Sequence, residues 1–119
     1  MIETAEQMRK LVAEEIDRFR TVEKEFLLPY LVPPQPHSLE WDYAAESAIY
    51  LCWLVAELHA RGLRVFYSEY GHGTHHPWGI VPVSTDTYGR DDSWFISLED
   101  AVINSGCWTG DLPEGYEID

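Results

Sequence analysis

Apolar residues recur at helical spacing from the start of the chain: Met8, Leu11, Val12, Ile16, Phe19, Val22 and Phe26. That period predicts an amphipathic first helix, and Thr4 with Gln7 forms the T-x-x-Q capping box that would start it. Pro29, Pro33, Pro34 and Pro36 then interrupt any helix between Leu27 and His37. The apolar Leu27, Leu28, Tyr30, Leu31 and Val32 turn that stretch into an extended strap packed on the body. From Ala44 to Ala56 only Glu46 and Ser47 break a run of apolar residues. A helix apolar all round is buried on more than one side, so residues 38–61 read as a long core helix, opened by Ser38 and stopped by Gly62.

Beyond Gly62 the period shortens to two. Leu63, Val65 and Tyr67 share one face and Arg64, Phe66 and Ser68 the other, which predicts a strand. A polar turn from Tyr70 to Pro77 leads to a second strand, Trp78 to Val83, placed at an edge or bulge by Pro82. Thr85 to Asp92 makes another turn and Ser93 to Ile96 a short third strand. Ser97, with Asp100 three residues later, caps a short helix that Gly106 ends. The expectation is one α+β domain over residues 1–119: two N-terminal helices, one amphipathic and one long and buried, on a three-stranded antiparallel sheet, with a short C-terminal helix.

Charge changes the picture. The chain has 119 residues, 21 acidic against 8 Lys or Arg, for a net −13, with 45% hydrophobic and 13% aromatic residues. Such a composition builds a packed core, while the charge opposes direct contact with nucleic-acid backbones or anionic membranes. No apolar run approaches the ~20 residues of a spanning helix. Met1 to Glu6 lacks the basic start of a secretory signal. Cys52 and Cys107 fit free thiols in a reducing compartment, and the expected location is cytoplasmic.

The acid is unevenly spread. Five of the eight basic residues lie in the first helix, whereas residues 86–119 carry nine acids against Arg90 alone, a net −8. Tyr88, Trp94, Phe95, Trp108 and Tyr116 lie among those acids. Aromatic anchors beside carboxylates suit a surface that grips a basic protein. The expected partner-binding residues are Asp86, Tyr88, Asp91, Asp92, Trp94, Glu99, Asp100, Trp108, Asp111 and Glu114, with Tyr88, Trp94 or Trp108 filling the partner's pockets. A homodimer through the second helix is compatible with this scheme.

Catalytic patterns are faint. Ser84, Ser93 and Ser97 have no nucleophile-elbow context, and no cofactor or enzyme activity is expected. His72, His75 and His76, with Glu69 upstream, form the only metal-like grouping. The run Gly71 to His76 lacks the third glycine of a dinucleotide loop. In composition alone the chain is similar to bacterial immunity proteins, which are small, acidic and single-domain. That likeness implies a cytoplasmic inhibitor neutralising a cognate toxin, such as a nuclease, by covering its basic surface. The alternatives are a DNA mimic acting on a DNA-handling protein and a small histidine-dependent metalloenzyme.

Overall fold

A computed structural model describes residues 2–41, 48–70, 75–89, 93–108 and 110. In chain order it contains α1 (Ala5–Ile16), α2 (Thr21–Leu27), β1 (Leu31–Trp41), β2 (Ala48–Leu58), β3 (Leu63–Tyr67), β4 (Trp78–Pro82), β5 (Trp94–Phe95) and α3 (Leu98–Asn104). One-turn 3₁₀ segments, Leu28–Tyr30 and His59–Arg61, precede β1 and β3. The strands form one antiparallel sheet in the order β1-β2-β3-β4-β5. No helix among the described residues is long and apolar enough to cross a membrane.

The architecture overturns the expectation of two N-terminal helices on a three-stranded sheet. The stretch expected as a long core helix at 38–61 is instead the end of β1, a connection outside the described residues, and β2. A run apolar on all sides fits a strand covered on both faces as well as it fits a buried helix. Here Ile49, Tyr50, Trp53 and Val55, all residues that suit a pleated surface, sit in the strand. Gly62 does adopt the left-handed conformation, φ 61°, but it closes a 3₁₀ turn between strands.

The proline strap is β1 itself, at the sheet edge. Its pairing with β2 runs from Leu31↔Ala56 to Trp41↔Ala48, with an irregularity between Leu31 and Gln35. Pro33 and Pro34 lie in that irregularity, where missing backbone donors cost least. The first helix is also in two pieces. The Thr4 capping box forms as expected, but α1 ends at Ile16 and the Glu23 side chain accepts the Arg20 backbone N–H at 2.8 Å to start α2.

Strand alternation divides two apolar layers. On one face Trp53, Val55, Leu58, Val65 and Trp78 meet Met8, Val12, Phe19 and Leu27 from the N-terminal region and Leu98, Ala101 and Val102 from α3. The other face carries Leu39, Cys52, Leu54, Phe66, Val81, Tyr88 and Trp94. Helices cover the first layer; the connection from β4 to β5 covers the second and supplies Tyr88. That connection reaches the outer edge of β1, where Glu40 N–H donates to Asp86 O at 2.7 Å and Tyr88 N–H donates to Glu40 O at 3.0 Å.

β2 is longer than the sheet beneath it. β3 pairs only with Trp53 to Leu58, so residues 48–52 pair with β1 alone. Residues 48–52 and their β1 partners therefore extend past β3 as an arm.

Candidate functional site

Alternation along β3 sends Arg64 to the second face, beside Phe66. Its buried guanidinium lies 5.1 Å from the Phe66 ring centre. Nη1 donates to Asp86 Oδ1 at 3.0 Å, while Nη2 donates to Pro82 O at 2.9 Å and to Thr85 O. His37, from β1, approaches the same Asp86 oxygen with Nε2 at 3.1 Å. Hydrogen bonds from His37 and Arg64 hold the Asp86 carboxyl below its ordinary range. A buried cation, a histidine and a carboxylate would be catalytic parts if a reacting group faced them. Arg64 Nη2 is held by two carbonyls of the chain that crosses this face and Nη1 by Asp86, while its buried Nε meets no acceptor among the described residues, so the cluster staples the β4–β5 connection to the sheet.

A second polar group lies deeper. The Tyr88 hydroxyl is 2.8 Å from Ser68 Oγ and 3.1 Å from Cys52 Sγ, all three residues buried. Burial pushes both the Cys52 thiol and the Tyr88 phenol upward, leaving a neutral thiol and phenol at physiological pH. Tyr88→Phe should lower unfolding free energy by about 1–2 kcal/mol, because two buried polar atoms lose one partner. Urea denaturation checks this, and a midpoint equal to wild type would show that the hydroxyl adds nothing.

These positions correct the expected binding residues. Tyr88 and Trp94 are core side chains, 1% and 2% exposed, and cannot fill a partner's pocket. The Trp94 Nε1–H donates to Tyr88 O at 2.8 Å, and the ring lies across Gly79, where an added Cβ would come within 2.5 Å of it. Trp108 is half-buried, edge-on to Phe26 with ring centres 5.4 Å apart. Asp86 is exposed but committed to Arg64 and His37. Glu99 and Asp100 occupy the first turn of α3 and are partly buried. Asp91, Asp92, Asp111 and Glu114 lie outside the described residues.

The histidine grouping falls partly outside the described residues. His75 and His76 are exposed, and His72 lies outside the described residues. The Glu69 carboxylate accepts from Ile2 N–H at 2.9 Å and from the Tyr67 hydroxyl at 3.3 Å. Among the described residues no three His, Cys, Asp or Glu side chains are placed to hold a metal ion.

Sequence reasoning passed over the projecting arm. Ile49 is 72% and Leu51 48% exposed, on the face where Trp53 and Val55 further along β2 are covered. Opposite them on β1 stand Glu40 and Ser38, both exposed. Tyr50 stacks on the exposed Tyr70 with ring centres 5.2 Å apart. Residues 31–58 contain Glu40, Asp42, Glu46 and Glu57 and no Lys or Arg. The alternation Ile49, Leu51, Trp53, Val55 was the available signal, masked by reading the run as a helix.

The molecule is thus an antiparallel meander, helix-covered on one face and strapped on the other, with exposed Ile49 and Leu51 on the part of β2 that extends past β3. Comparison with protein-family models, with curated proteins and with solved structures found no match.

Proposed function

We propose that this protein is an acidic, cytoplasmic inhibitor that binds a basic protein and covers its working surface, in the manner of immunity proteins that neutralise nuclease-type toxins. The observation that carries the reading is the β1–β2 arm: exposed Ile49 and Leu51 on a hairpin with four acids and no Lys or Arg. Apolar side chains supply burial at the centre of a contact, and Glu40, paired with Ile49 across the hairpin, offers a carboxylate to a cationic partner. The net −13 extends that attraction beyond the contact. Two free cysteines accord with a reducing compartment. The contact expected around residues 86–119 moves to the arm, with Asp86 at its flank.

The test pairs the purified protein with the product of the gene adjacent to its own, taken as the cognate toxin, in stopped-flow association experiments. The association rate should fall about tenfold or more between 50 and 500 mM salt. Ile49→Arg should weaken binding by about 2 kcal/mol or more while leaving the circular dichroism spectrum unchanged. Tight binding that ignores both salt and Ile49→Arg would end this reading.

A further inference from the structure

We infer that Tyr50 and Tyr70 form a modification site, where a one-electron oxidant joins the two rings into dityrosine and ties the arm to the chain that follows β3. The inference does not depend on the arm's protein partner. Its basis is register. Trp53 faces Tyr67 at the end of the β2–β3 ladder, and three further residues along each chain reach Tyr50 and Tyr70. Strand pairing stops at Tyr67, yet the side chains beyond it stay neighbours. The Tyr50 and Tyr70 ring centres are 5.2 Å apart and the rings lie within 10° of parallel. One step nearer the sheet, Ser68 and Cys52 approach the same Tyr88 hydroxyl, at 2.8 and 3.1 Å. Alternation along the two chains thus brings 50, 52, 68 and 70 together on the second face.

Access and isolation select this pair. Tyr70 is 43% exposed and Tyr50 half-buried, so an oxidant reaches them from solvent. Tyr88, the next ring inward, stands at 74° to Tyr50 with ring centres 6.0 Å apart. It is buried and its hydroxyl is held by Ser68 and Cys52, so no oxidant meets it directly. Tyr67 packs on Trp78, and Tyr30 packs on Phe26 and His59, none of which can form dityrosine. A radical on Tyr70 or Tyr50 therefore already touches its coupling partner. Such contact corresponds to an effective concentration of about 1 mM or more, roughly 100-fold above a second chain present at ~10 µM. Net −13 on each chain slows that second encounter further.

The chemistry balances with hydrogen peroxide as the oxidant and a haem peroxidase delivering it one electron at a time. Each phenol gives up one electron and its hydroxyl proton, leaving a neutral phenoxyl radical with spin on the carbons ortho to oxygen. The two radicals form one ortho–ortho carbon–carbon bond. The hydrogen on each joined carbon then moves to the oxygen of its ring, restoring both phenols. Two electrons and two protons leave the protein and reduce one peroxide to two waters. Tyr70, at the surface, has the freedom to turn its ring edge onto Tyr50.

The test treats the full chain at micromolar concentration with a haem peroxidase and hydrogen peroxide. Dityrosine fluorescence should appear in protein that still runs as a monomer on a denaturing gel. Mass spectrometry of a digest should find the peptides holding Tyr50 and Tyr70 joined, with two hydrogen atoms lost. Tyr50→Phe and Tyr70→Phe should each cut the monomer's dityrosine signal about tenfold or more, with the circular dichroism spectrum unchanged. Tyr30→Phe should leave that signal at the wild-type level. In concentrated urea the bond should spread to other tyrosine pairs, because the fold no longer selects one. A monomer free of dityrosine under conditions that couple free tyrosine, a cross-link mapped to other positions in the folded chain, or a full signal in Tyr70→Phe would each overturn the site.

Discussion

Trp94→Ala should lower the free energy of unfolding by about 3–5 kcal/mol, the range for emptying a buried aromatic site. The indole is 2% exposed, rests on the bare backbone of Gly79 and has its ring centre 5.1 Å from that of Tyr88. Neighbours cannot collapse into the space, because Tyr88 is pinned by Ser68 and Cys52 and Gly79 has no side chain to reorient. The tryptophan also donates to Tyr88 O, so its loss removes one hydrogen bond from the segment that covers the second face. Urea denaturation should show a lower midpoint at an unchanged slope. A binding anchor would behave oppositely, losing affinity at full stability. An unchanged midpoint would therefore place the ring outside the core and restore the role its acidic neighbourhood implied.

Arg64→Met should cost about 2–4 kcal/mol, and Asp86→Asn under about 1 kcal/mol. Methionine keeps the apolar stem against Phe66 but removes the donors to Pro82 O, Thr85 O and Asp86. Hydrogen bonds from a buried charged donor carry most of that cost. The Asp86 carboxylate is 63% exposed, so its pairing is screened and worth little alone. Because Asp86 is held below its ordinary range, its share of stability is present above pH ~4 and lost as pH falls through the lowered value. Thermal or urea denaturation of the two variants and their double mutant separates the terms. Equal losses for Arg64→Met and Asp86→Asn would make the ion pair, and not the carbonyls, the source of the staple's strength.

What could be read from the sequence was whatever near neighbours decide. The caps at Thr4 and Ser97, the left-handed Gly62 and Gly106, and the two faces of β3 all depend on residues a few positions apart. The 44–56 run was not decidable in that way. From Cys52 to Ala56 its apolar character reflects cover on both faces, and that cover comes from α1, α2 and α3 on one side and from Tyr88 and Trp94 on the other. Pro33, Pro34 and Pro36 do lie in extended chain, whereas Pro29 sits in the 3₁₀ turn before it, and nothing local says that β2 comes back alongside them. Tyr88 and Trp94 were misplaced for the same reason. Whether Tyr88 points at water or at Cys52 depends on where the β4–β5 connection crosses, a path set by Arg64 and Glu40 far away in the chain. The exposed pair Ile49 and Leu51 became visible only once β3 was seen to stop at Trp53.

The bridge from Glu40 to Asp86 and Tyr88 has a consequence for the time before folding is complete. Each strand of the meander pairs with its sequence neighbour, so short loop closures can build the sheet in order. The bridge must wait for β2, β3 and β4, and it is therefore among the last contacts made. Until it arrives, the outer edge of β1 around Leu39 and Glu40 offers open backbone donors and acceptors, and the prolines at 33, 34 and 36 guard only the other end. A second partly folded chain can pair there. Refolding at high concentration should therefore set its own late-arriving segment in competition with a neighbour's strand for one short edge.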